Sequence, residues 1–266
     1  WASEGQDMQQ IVSLLVSEVN KAGGVNGKQI ELVVEDDAGD PRTASLAAQK
    51  LASAGVKELI VIAQDITRYG PDLNGEHQLA SLLRELSRLD FHWVRLHYLY
   101  PDEITEELID TIAEEPKIVK YLDIPIQHCN DGILKAMRRR NTKVELEELF
   151  ARLRKAIPDV VIRTSLICGL PGEGEEEFEE LCEFLKEQKL QRAGVFQFSP
   201  EEGTLAAAMD NQVDPEVAQR RVELVVDLQS RVMDQWNEER LGTVMEVLCE
   251  GFDGEAGCYV GLSLIH

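Results

Sequence analysis

Apolar, β-branched runs recur along this chain about 30 to 40 residues apart, and that interval is the size of one strand–helix unit. They fall at residues 30–35 (IELVVE), 58–64 (ELIVIAQ), 93–99 (WVRLHYL), 121–127 (YLDIPIQ), 160–169 (VVIRTSLICG) and 194–198 (GVFQF). Helical stripes lie between them. Leu146, Leu149, Phe150, Leu153 and Ile157 follow a 3.6-residue period, as do Phe178, Leu181, Cys182 and Leu185. Thr105, followed by Glu106 and Glu107, reads as an N-cap with an acidic first turn. Strand–helix alternation of this kind predicts a parallel sheet with covering helices. Six units are too few to close an eight-stranded barrel, so the expected fold is α/β, an open partial (βα)6 TIM-like barrel. The strand at 30–35 is expected to stand first in it. Beyond Phe198 the pattern changes to one long amphipathic helix from Pro215 to about Arg240, then two short strands near 245–249 and 258–262. So few residues cannot make an independent β domain, so a truncated, loosely packed β module is expected there.

Several of these strands carry polar residues at alternating positions, two or four apart: Arg95 and His97, Asp123 and Gln127, Arg163 and Ser165. Period two puts each pair on one face, and buried parallel strands should otherwise be nearly all apolar. A polar cavity inside the open barrel and a satisfied internal hydrogen-bond layer both fit; the recurrence over many strands favours the cavity. Gln64, Asp65, Gln127, His128 and Gln197 stand at strand C-terminal ends, where α/β folds keep their sites. The turn Gly169-Leu170-Pro171-Gly172-Glu173 leads from a strand into a helix, a place where backbone N–H groups can approach a ligand. The glutamates between 173 and 187 read as a solvated helix face. Arg138-Arg139-Arg140 is a charged helix end or a partner contact.

Charge and cysteines limit the function classes. Lys plus Arg number 27 against 49 Asp plus Glu, a formal charge of −22 that repels phosphate backbones and suits a basic protein partner. No apolar run approaches the roughly 20 residues that span a bilayer. Cys129, Cys168, Cys182, Cys249 and Cys258 are odd in number and widely spread, a reducing, cytosolic pattern rather than a disulfide framework. None of their spacings is a close metal-ligand spacing; Cys168 and Cys182 read as small buried hydrophobes. A chain opening on Trp1 reads as a fragment.

From about Val56 onward the residues resemble the radical S-adenosylmethionine methylthiotransferases. The likeness is carried by Lys57 to Asp65 with Thr67-Arg68-Tyr69-Gly70, by Arg95 to Asp102, by Asp123-Ile124-Pro125-Ile126-Gln127-His128, by Arg163 to Glu173, and by Phe198-Ser199-Pro200-Glu201-Glu202-Gly203-Thr204. It is greatest for the branch that modifies an aspartate of a small-subunit ribosomal protein; the tRNA-modifying branch usually has Asn where Asp65 stands. The resemblance implies S-adenosylmethionine as cofactor, with Gln64, Asp65, Arg163, Ser165, Gly169, Pro171 and Gly172 lining its pocket and Arg163 facing its carboxylate. It places Gln127 and His128 nearer the chemistry. A basic ribosomal protein would be the partner, with neither membrane nor direct nucleic-acid binding. Such enzymes also hold [4Fe–4S] clusters on thiolates, one on a C-x3-C-x2-C loop after the first barrel strand. No such loop stands in this sequence, so no metal ligand is assigned and the stretch is expected to be inactive.

Residues 1–55 resemble the start of a periplasmic branched-chain amino-acid-binding protein, through Asn20 to Lys28, Ile30 to Asp37, Asp40-Pro41 and Ala48 to Leu51. The expected organisation is therefore 1–55 as a binding-protein-like segment, 56–205 as the radical barrel, 206–240 as a linking helix, and 241–266 as a truncated module of TRAM type. A transport-receptor module or an inert chimeric product are the alternative readings.

Overall fold

The computed structural model describes residues 2–25, 27–36, 41–71 and 75–263. Asn26, Asp37 and Asp40 of the binding-protein likeness, and 264–266 of the expected C-terminal module, lie outside them.

Five strands form one parallel sheet in sequence order: β1 (Glu58–Val61), β2 (Trp93–Leu96), β3 (Ile118–Asp123), β4 (Val161–Cys168) and β5 (Arg192–Gln197). The covering helices are α3 (Leu79–Ser87), α4 (Glu106–Glu114), α5 (Asp131–Ala136), α6 (Lys143–Ala156), α7 (Glu175–Gln188) and α8 (Pro215–Glu238). The sheet ends on β1 and β5 without closing, so the architecture is an open α/β barrel. Several helices start on a side-chain cap. Thr105 accepts from the Leu108 N–H, Thr142 and Glu145 form a reciprocal capping box, and Asp214 accepts from the Glu216 N–H ahead of Pro215.

The sheet's outer face supplies the core. Val94, Leu96, Ile118, Leu122, Ile162 and Leu166 are buried against the helices, with Leu146, Leu149, Phe150 and Leu153 of α6 and Phe178, Leu181, Phe184 and Leu185 of α7. These are the stripes expected from periodicity, with Phe184 in addition. Phe150 and Phe184 meet with ring centroids 6.3 Å apart.

The expected first strand is absent. Residues 30–35 form no ladder, and Leu32, Val33 and Val34 are exposed. The Asn20 side chain pairs with both backbone groups of Ile30, accepting from its N–H at 2.7 Å and donating to its carbonyl at 2.8 Å. That contact ties the run to α1 (Ala2–Lys21), so it does not reach β1. The sheet therefore has five strands, not six. α1 keeps Met8, Ile11, Leu14 and Leu15 largely exposed, while α2 (Pro41–Ser53) flanks α3 across a crevice of about 400 Å3.

β3 also begins and ends earlier than expected. Pro125 has no N–H to give the ladder, and the Ile126 N–H turns to the Thr164 hydroxyl at 3.2 Å. At the other end of the molecule β6 (Val247–Asp253) and β7 (Cys258–Ser263) form an antiparallel hairpin. It touches the N-terminal ends of the strands: Leu248 packs on a small cluster of Trp93, Val119, Tyr121, Val161 and Trp236. Val247, Phe252, Tyr259 and Val260 remain substantially exposed. Among the described residues this end of the chain forms the hairpin alone.

Candidate functional site

The inner face of the open barrel carries a continuous polar chain. Arg95, buried, donates through Nε to Glu58 at 2.5 Å and lies over the Tyr121 ring, 5.4 Å from its centroid. Tyr121 meets His97 edge-on at 6.4 Å. His97 Nδ1 is 3.4 Å from Asp123 Oδ2, and Arg163 Nη1 donates to Asp123 Oδ1 and to Ser165 Oγ, both at 2.8 Å. Burial pushes the Asp123 carboxyl upward, but the hydrogen bonds and charges of His97 and Arg163 outweigh it and hold it below the usual carboxylate range. Burial raises the Tyr121 phenol, so it stays protonated at neutral pH. Above this layer the opening is rimmed by the exposed apolar side chains of Ile60, Ile62 and Phe196. A polar floor, the half-open Arg163 guanidinium and an apolar rim can hold a ligand with a carboxylate at one end and an apolar body at the other.

The expected site residues divide. Arg163 and Ser165 lie side by side in this layer. Gln64 is exposed beyond the end of β1. Asp65 is engaged in its own turn, accepting from the Thr67 N–H at 3.0 Å and from the Thr67 hydroxyl, with Arg68 Nε at 3.2 Å. Gln127, half-buried, is the left-handed residue (φ 70°) that rejoins β4, accepting from the Ile167 N–H at 2.9 Å. His128 is fully buried. Its Nδ1 accepts from the Asn130 N–H at 3.0 Å, and burial drives its pKa down to about 4. The ring is therefore neutral, with its proton on Nε2.

The 169–173 turn is not an open cradle either. Both oxygens of Glu173 accept from the Gly169 N–H at 3.0 Å, and the Gly172 N–H donates to the Asn211 carbonyl at 2.9 Å. A Cβ on Gly169, which has φ +83°, would stand 2.3 Å from the Ala218 Cβ. The glycine is there so that α8 can close on the turn, with Pro171 buried beside it. Arg221 of α8 completes the lock, donating to Glu173 Oε1 at 2.9 Å and to its carbonyl at 2.7 Å. Arg221 is thus the residue of this lock that sequence reasoning did not place, and Asp123 and His97 are inner-face residues to which it gave no part in the cofactor pocket. Alternating polarity pointed to Asp123 and His97; nothing in the sequence singled out Arg221.

Comparison with known proteins decides the family. The profile of the radical SAM superfamily matches residues 35–185, more than half of the chain. The chain belongs to the radical SAM superfamily. The ribosomal protein uS12 methylthiotransferase RimO of Caldanaerobacter subterraneus subsp. tengcongensis is 48% identical over 217 residues, 81% of this chain and 49% of that protein. The same enzyme of Geobacter sulfurreducens is 49% identical over 209 residues, and that of Clostridium perfringens 44% identical over 242, 91% of this chain. The chain spans about half the length of these curated relatives. Coproporphyrinogen III oxidase (HemN) of Escherichia coli, described as a radical SAM enzyme, shares the fold at a TM-score of 0.51 and 16% identity, over 76% of this chain and 48% of that one. A periplasmic binding protein domain matches residues 1–62. The two likenesses overlap: a 242-residue match is longer than the stretch from Val56 to the end, so likeness to the methylthiotransferases reaches into the first 55 residues.

A radical SAM barrel implies two groups, S-adenosylmethionine and a [4Fe–4S] cluster. The inner-face layer fits the amino-acid end of the first, through Arg163 and Ser165. The cysteines do not fit the second. Cys129 and Cys168 are fully buried among the helices outside the barrel, and burial raises both thiols to about 12. Cys182 lies on α7, while Cys249 and Cys258 belong to the hairpin at the strands' N-terminal ends. Among the described residues no three His, Cys, Asp or Glu side chains are grouped to hold a metal ion. No helix among them is long and apolar enough to cross a membrane.

Proposed function

We propose that this chain is the S-adenosylmethionine-binding core of a methylthiotransferase whose substrate is an aspartate of ribosomal protein uS12. The observation that carries the reading is identity near one half with uS12 methylthiotransferases over four-fifths of the chain. The inner-face layer supports it, since a guanidinium matches the cofactor carboxylate. Gln64 and the outer edge of the 169–172 turn would border the adenosine side, and Gln127 would stand between them and the chemistry. S-adenosylmethionine, when bound beside a reduced cluster, supplies the radical that such enzymes use. The residues of this chain offer no three-thiolate site for that cluster, so no radical step is assigned to them and the chain is inactive by itself. A formal charge of −22 suits a basic ribosomal protein in the cytoplasm better than nucleic acid.

The test pairs binding with chemistry. Purified uS12 should associate with the chain in a salt-sensitive manner, and uS12 incubated with the chain, S-adenosylmethionine and a reductant should keep its mass. A methylthio mass increase would contradict the proposed inactivity. Failure to bind uS12 at micromolar concentrations would contradict the substrate reading.

A further inference from the structure

The Arg163–Asp123–His97 layer is built asymmetrically. Asp123 is sealed, its side chain 3% exposed, while its two partners in front, Arg163 and His97, are 25% and 26% exposed. A pair that served packing alone would bury both members, because a half-open guanidinium adds little stability. Here the acid stands behind and the donors stand in front.

We propose that Asp123 is a positioning residue that fixes the Arg163 guanidinium for the carboxylate of a ligand in the barrel, and that Gly194 is its steric counterpart. The proposal rests on the cofactor reading above and names how its anchor is held. Two acceptors restrain the same nitrogen: Asp123 Oδ1 and Ser165 Oγ each lie 2.8 Å from Nη1. That sets the plane of the guanidinium, and Nε and Nη2 donate to nothing among the described residues, which leaves an edge for a planar two-oxygen ligand. Gly194 on β5 lies across from Ser165, and a Cβ there would stand 3.0 Å from Arg163 Nη2. A Cβ at 194 would therefore press on the guanidinium, which would have to give by a few tenths of an ångström. Asp123 is in turn steadied by His97 at 3.4 Å on its second oxygen.

The test is calorimetric titration of the chain with two ligands, S-adenosylmethionine and 5′-methylthioadenosine, which keeps the nucleoside and S-methyl group but has a neutral thioether in place of the sulfonium and no amino-acid carboxylate. Asp123→Asn should weaken S-adenosylmethionine binding about tenfold and change methylthioadenosine binding less than about twofold. Gly194→Ala should give the same split from the other side, and it carries the test if Asp123→Asn does not fold by thermal melting. If both variants bind S-adenosylmethionine as tightly as the wild type, or lose both ligands equally, the positioning role is wrong while the cofactor reading stands. A wild-type chain that binds neither ligand overturns both.

Discussion

His128, Glu173 and Arg221 form a buried knot under the strand-four turn. The Glu173 carboxylate is raised by burial, although the Gly169 and Leu170 backbone bonds and the Arg221 charge work against that rise. Removing Arg221 leaves this carboxylate without its charged partner, so Arg221→Ala should cost about 3–5 kcal/mol in urea unfolding. His128 gives a pH signature. Its folded pKa, about 4, lies below the ordinary histidine value of 6.5, so the unfolded chain binds the extra proton between them. Its contribution is complete above about pH 6.5 and is lost as pH falls towards 4, about 3 kcal/mol in all. Glu173, with its pKa raised, acts in the opposite sense and gains stability as pH falls. The difference between wild type and His128→Gln isolates the histidine: it should shrink from pH 7 to pH 4. A difference independent of pH would show that the ring is not buried neutral.

At the scale of elements, the junction of β4 with α8 depends on one missing methyl. Gly169→Ala would bring a Cβ within 2.3 Å of Ala218 at a positive φ, and should destabilise by about 2–3 kcal/mol. Ala218→Gly should recover part of that loss in a double-mutant cycle; full additivity would contradict the contact. Elements whose pattern is local were legible in the sequence: α6 and α7 from their apolar stripes, α4 from Thr105, β4 from its eight-residue run. Residues 30–35 show where that stops. Their composition is that of a strand, but a strand needs a neighbour, and the Asn20 contact that withholds one is invisible to composition. The site was legible to the same degree. Arg163 and Ser165 follow from period two, whereas the Arg221 clamp on Glu173 comes from α8, 48 residues on, and the burial of His128 from tertiary packing.

For the whole molecule, the five-stranded barrel carries the core, and α1 adds almost nothing to it. Of the described side chains before residue 56, Ala52 alone is apolar and buried. Removal of residues 1–55 should therefore leave the far-ultraviolet spectrum of the α/β core and shift its melting temperature by only a few degrees. Loss of cooperative melting would show that the segment is part of the fold. Under the function proposed above, this radical SAM barrel would keep Arg163 for the cofactor without the thiolates for the cluster. The direct measurement is iron and acid-labile sulfide per chain after anaerobic reconstitution and desalting. The placement of Cys129, Cys168, Cys182, Cys249 and Cys258 predicts iron far below one cluster per chain, unchanged when all five are replaced by serine. About four irons and four sulfides per chain, lost on those replacements, would contradict it.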